Sequence, residues 1–532
     1  MKTWLAKLFG KGSPPSFPVV WDAQRPAIYA LLLPTMETLA PLSAEQNPLI
    51  DPPLGESQEI RWAPGALDGV AIHHFGLGSD DDPSGAIAIA LEKTLRYRQP
   101  ADTAALYRLL NAGSPLSYID ELLTALPARK NVDAAALNEL VVWLAMNSPD
   151  ANVVKTAMAL LAFFPSPQSQ QILTVLGRHD EFTLYAIVAL RSFLAPEDYE
   201  RVWFEMAQRV DGWGRIHLIE RIPEEPGPEV RHWLLRSGYS NSVMYEYTAW
   251  DCAFYGQLLE ALKHEQDDAL LCGAAEIFQA IMAGEPGKGI DYYSDAPEAF
   301  FHYLTHLVAQ PAADPLHYLA THDIREQAED SEFCDDDLRH QLMTLADRVM
   351  AQPQWNTAIE QALAGDDAYR FNLAIRASRL RNQEPWPAIY RKQMSDSQAS
   401  HWYQLIQTDD VENIVKVVEL AQQQFDLTAI ASGPALNNGI GVEWRAHNAF
   451  DFVLQDLKRF PGIGWEVLNA GLQSPVIRNR NMAINALQEW QPEQLHPHRA
   501  FLEHCLAGEP DESVRERMEA LVQRACVPHV IE

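Results

Sequence analysis

The chain is short of cysteine, of positive charge and of long apolar runs, and each shortage narrows what it can be. Its five cysteines, Cys252, Cys272, Cys334, Cys505 and Cys526, are odd in number, widely spaced and form no C-x-x-C pair. That fits buried thiols in a reducing compartment rather than a disulfide framework. No segment approaches the roughly 18 apolar residues of a membrane span. Lys and Arg number 41 against 72 Asp and Glu, a net charge of −31. Such a chain repels nucleic acid and anionic lipid on average and accommodates basic or neutral partners more easily. Low-complexity sequence is also missing. No G-x-S-x-G elbow, H-E-x-x-H pair or recognisable cysteine nucleophile is present, so nothing positive argues for catalysis.

Hydrophobic residues make up 47% of the sequence, enough for a folded core. Met1 to Lys11 sets Lys2, Lys7 and Lys11 among Trp4, Leu5, Leu8 and Phe9. That apolar run is too broken for a signal peptide, and a cytoplasmic location is expected.

The stretch from Asn152 to Ile222 organises the rest. It holds three amphipathic runs in which Ala157, Ala186 and His217 fall at matching places, 29 and 31 residues apart. A repeat of that length reads as stacked helical hairpins. Helical periodicity continues from Gly85 onward, with Asp102, Ser114, Asp133, Asp150 and Asp180 at N-cap positions. The pattern places a helix over 255–264, others over 297–309 and 335–351, and an acidic loop at 329–337. Residues 12 to about 84 are proline-rich and read as irregular, apart from a helix over 24–39 kinked at Pro34.

The runs Asn152–Ala157, Glu181–Ala186 and Gly214–Ile219 resemble the second-helix signature of HEAT-type repeats, and Val476–Arg480 and Ser513–Arg517 repeat it. Arg478 and Arg515 lie 37 residues apart. Asp211–His217 is similar to a stretch of bacterial HEAT-like proteins of uncharacterised function, some of which carry the name limonene hydroxylase. No haem or iron site that would justify that name is recognisable here. The resemblance implies an all-α fold: a right-handed α-solenoid of HEAT/ARM-like helical hairpins with an irregular Pro/Gly-rich N-terminal cap. The segments are 1–84 (cap), 85–222 (N-terminal repeats), 223–442 (central helical repeats with irregular insertions) and 443–532 (C-terminal repeats).

Several motifs reduce to structure on inspection. Gly284–Gly289 has a lysine among glycines, but no Ser or Thr follows it and the preceding segment is helical, so it reads as a helix C-cap and turn. Asp80–Asp82 with Ser84 lacks the spacing of a calcium loop and reads as a turn into the next helix. His302 and His306 share a helix face, with His317, His322, Cys334 and His340 downstream; a surface or core-edge pair is expected. His73 and His74, being adjacent, should point apart. No metal and no cofactor is expected.

The remaining site candidates are Trp213, Arg215, Arg221, Tyr245, Tyr247 and Trp250, joined by Trp444, Arg445 and His447. Trp, Tyr and Arg anchor protein interfaces. In the competing reading the tryptophans are core and the arginines cross-link successive repeats. The expected function is a non-enzymatic scaffold holding a protein or peptide partner, possibly basic, in a concave surface. An immunity-type neutralising protein is one version of it. The alternative is an enzyme acting on a small hydrophobic molecule. DNA binding would need a basic groove, which the charge opposes.

Overall fold

The computed structural model describes residues 17–43, 62–75, 82–397 and 399–526. Among them the fold is all-helical, with no strand and one isolated bridge between Asn437 and Val476. The described residues fall into two compact units, one up to Pro353 and the other from Gln354 onward. No helix among them is long and apolar enough to cross a membrane.

Local chemistry sets the helix ends. Ser114 and Asp133 cap as expected, accepting from Leu116 N and Ala136 N. Asp180 instead lies inside its helix, where His179 takes the cap position. Asp102 lies three residues past the cap Gln99, in the first turn of Pro100–Asn111. Asp150 occupies the N-cap of Ala151–Leu160 as expected, but its side chain makes no capping bond. Its carboxylate accepts from the Tyr107 hydroxyl at 2.5 Å and from Arg25 at 2.6 Å, holding the segment before Ile28–Leu32 in place.

Prolines open Pro167–Leu176, Pro196–Ala207, Pro228–Trp233 and Pro315–Gln327, where a missing N–H costs nothing. The last of these is a full helix in a stretch with no helical assignment from sequence. Toward the N-terminus, Ile28–Leu32 is α-helical and Leu33–Glu37 tightens to 3-10 at Pro34. Gln257, with φ of 56°, separates Ala249–Gly256 from Leu258–His264, so the helix expected over 255–264 is two.

In the first unit, Asp180–Phe193 packs between Ala151–Leu160 and Gly212–Ile219. These three helices carry the repeated motif. Their inner residues, including Val153, Ala157, Phe182, Ala186, Ile216 and Ile219, are buried. In the second unit a continuous apolar core runs from Phe371 to Ala525. Arg480 crosses it, its Nε and Nη2 meeting Glu509 at 2.8 and 2.9 Å with both side chains inaccessible. Arg478 pairs with Asp451 of the Arg445–Gln455 helix. Arg478 and Arg480 thus each tie the Ile477–Gln488 helix to a neighbouring segment, while Arg515 donates to the Glu509 carbonyl just ahead of its own helix.

Candidate functional site

Two short helical turns from the proline-rich region, Ala66–Val70 and a π-turn over Ala71–Phe75, lie in the first unit, where Ala66–Val70 packs on Gly212–Ile219. Gly65, with φ of 74°, donates its N–H to Glu181 Oε2 at 2.6 Å. Asp68 is buried, and its Oδ2 accepts from Lys155 Nζ at 2.7 Å and Tyr185 OH at 3.2 Å. Ser114 Oγ supplies a further bond at 3.0 Å. Lys155 also meets Glu181 at 2.5 Å. Burial alone would lower the Lys155 amine, but Glu181 and Asp68 outweigh it and hold it above its ordinary value.

One turn further, three basic side chains surround the Glu220 carboxylate. His73 Nε2 lies 2.9 Å from Oε1, Arg221 Nη1 2.8 Å and His217 Nδ1 3.4 Å from Oε2. Burial would raise the Glu220 carboxyl, yet these neighbours hold it well below the usual carboxylate range. His217 is pushed down by its own burial, and its Nε2 has no hydrogen-bond partner. Trp213 fills the space between, its ring 5.8 Å from His73 and 5.2 Å from Tyr247. A Cβ on Gly69 would meet that indole at 2.1 Å, so only glycine allows this approach. His74 Nε2 reaches the Tyr247 hydroxyl at 2.7 Å. The two adjacent histidines thus both lie beside Tyr247, their rings 4.9 and 6.3 Å from its ring.

The other aromatic and arginine candidates divide. Arg215 is buried and donates to the carbonyls of Val210, Ser237 and Ser240 while its guanidinium covers Trp233. Tyr245 packs edge-on to Tyr239 and accepts from Ser240 Oγ. Trp250 donates to the Tyr292 carbonyl and stacks on Phe254 at 5.0 Å, while Lys288 lies over its other side 3.5 Å from the ring centre. Lys288 also meets Asp251 at 3.2 Å; burial raises that carboxyl and Lys288 offsets it in part. Gly284 ends the preceding helix with φ of 78°. In the second unit, Trp444 packs edge-on to His447, which is buried, and Arg445 is exposed.

Two adjoining cavities, of about 500 and 370 Å³, share the side chains of Glu224 and Glu225 in the turn after Gly212–Ile219. Apolar Leu194, Pro196, Tyr199 and Pro223 line the first beside Glu197 and Glu200. Phe254, Tyr255 and Leu259 line the second beside Glu260 and Asp295. Carboxylates outnumber the two arginines of this surface, Arg191 and Arg231, and Arg231 is spent on the Pro226 carbonyl and Gln257. The aromatic cluster supports this groove from behind. The Tyr199 hydroxyl, raised to about 12 by burial, donates to the Arg221 carbonyl at 2.7 Å, and Phe254 rests on Trp250. Sequence reasoning missed these acidic residues, which carry no signal in a chain of this charge.

A third polar group lies deeper. His317 Nε2 is 3.7 Å from Cys272 Sγ, and its Nδ1 is 2.8 Å from the Tyr303 hydroxyl. Burial lowers His317 to about 4. The imidazole is therefore neutral at pH 7 and does not draw a proton from the thiol to make a nucleophilic thiolate.

No protein-family model, curated protein or solved structure matches the chain.

Proposed function

We propose that the protein is a non-enzymatic binding protein, built as a solenoid of HEAT-like hairpins, that holds a protein or peptide partner by a basic segment. The observation that carries this reading is the groove around Glu224 and Glu225, where carboxylates surround an aromatic and proline-lined surface. Arg and Lys place apolar stems beside a charged head, so a basic, apolar-flanked segment can satisfy both halves of such a surface. The overall charge of −31 adds steering toward a basic partner. The groove also lies within one compact unit, so it needs no rearrangement between units to form. The cytoplasmic location inferred from the cysteines belongs to the same reading.

A direct test uses two short labelled peptides, one alternating arginine with leucine and one alternating glutamate with leucine. The full-length protein should bind the first, with affinity falling as salt rises, and not the second. Binding of neither, or of both alike, would remove the support for this reading.

A further inference from the structure

We propose that His322, Asp323 and Glu326, on the Pro315–Gln327 helix, form a binding site for a zinc-class divalent cation. The three side chains offer one nitrogen and two oxygens, all within 4.8 Å of one another. His322 and Glu326 share a helix face at i and i+4, and Asp323 turns its carboxylate toward them.

The spacing within the group leaves room for an ion between the side chains. His322 Nδ1 is 3.5 Å from Asp323 Oδ1 and 3.6 Å from Glu326 Oε2. An imidazolium bonded to these carboxylates would close to about 2.7–3.2 Å. Nδ1 has no hydrogen-bond partner although the atom itself is buried. Zinc–ligand bonds of about 2.0–2.1 Å place tetrahedral ligands roughly 3.3–3.4 Å apart, close to the two separations from His322 Nδ1. A cation between the three atoms would satisfy the nitrogen lone pair and both carboxylates together.

The surroundings support such a site. The second oxygen of Asp323 accepts from Gln279 Nε2 at 2.7 Å, so a neighbouring helix, Asp268–Ala283, fixes the carboxylate. Outer contacts of this kind orient metal ligands and tune their affinity. The Glu326 side chain is exposed, giving an ion a way in. An imidazole with two carboxylates suits zinc, cobalt or nickel better than magnesium or calcium, which prefer all-oxygen sets. Three protein ligands leave a fourth position for water. Of the histidines that the sequence groups with His322, His302, His306 and His317 do not join this site. His306 contacts the Leu262 carbonyl and His302 lies beside Glu298. His317 is held by Tyr303 and Cys272.

The test is a titration of the chelator-stripped full-length protein with Zn²⁺ by calorimetry and with Co²⁺ by visible absorption. Wild type should take up one equivalent of Zn²⁺ that is lost in both His322→Gln and Glu326→Gln, and Gln279→Ala should weaken it about 10–100-fold. Glu326 is exposed, so its substitution leaves the fold intact, and circular dichroism checks this for all three variants. Equal Zn²⁺ uptake by wild type and Glu326→Gln, no uptake by wild type, or a preference for Ca²⁺ would each overturn the proposal.

Discussion

Lys155 and Asp68, 87 residues apart in sequence, meet at 2.7 Å with both side chains almost inaccessible. One belongs to the Ala151–Leu160 helix and the other to the proline-rich segment, so this pair joins the two kinds of structure. Removing one partner leaves the other charged and buried, which typically costs about 3–5 kcal/mol. Lys155→Met should therefore lower stability by about that amount in urea unfolding. Because pairing raises the Lys155 amine, the stabilisation is present at neutral pH and is lost only as pH rises through its folded pKa. A loss below about 1 kcal/mol, the range of an exposed pair, would mean the pair is not buried in solution.

Gly69 makes a separate prediction. A methyl group there would overlap the Trp213 ring, so Gly69→Ala must displace Ala66–Val70 or the indole. Overpacking of this kind costs about 1–3 kcal/mol. The variant should be cleaved faster than wild type by a protease between residues 62 and 75, and unchanged cleavage would count against the observed packing.

His317 should give the protein an acid-sensitive step. Its pKa is lowered from 6.5 to about 4 by burial, so the unfolded chain binds the proton more tightly. The stability it contributes is full above about pH 6.5 and is lost as pH falls through about 4, up to roughly 3 kcal/mol in all. Glu220 and His217, also lowered, act in the same direction. His317→Gln should flatten the fall in melting temperature between pH 6.5 and 4, whatever its effect at neutral pH. The same slope in wild type and variant would show that His317 is not the titrating group.

Much of the helical pattern was legible because caps and 3.6-residue spacing are local signals. Asp133 and Ser114 announce their helices, each accepting from the backbone of the first turn. Pro315–Gln327 was not, since Pro315 and His317 look like loop residues until their neighbours Tyr303 and Cys272 are in place. The turns around Asp68 were hidden for a similar reason: their order depends on Lys155, Glu181 and Trp213. Composition drew attention to Trp213, Arg221 and Tyr247, but it could not supply Glu220 or His73. Those side chains reach the cluster only through tertiary contact.

The most direct measurement of the binding account is the affinity of the arginine–leucine peptide for a charge-reversed groove. Glu224→Lys with Glu225→Lys would be compared with Glu493→Lys with Glu516→Lys, exposed residues of the second unit that change net charge equally. The groove pair should weaken binding by about tenfold or more, roughly 1.4 kcal/mol, while the control pair shifts it far less. Equal weakening by both pairs would mean that overall charge, and not this groove, holds the peptide.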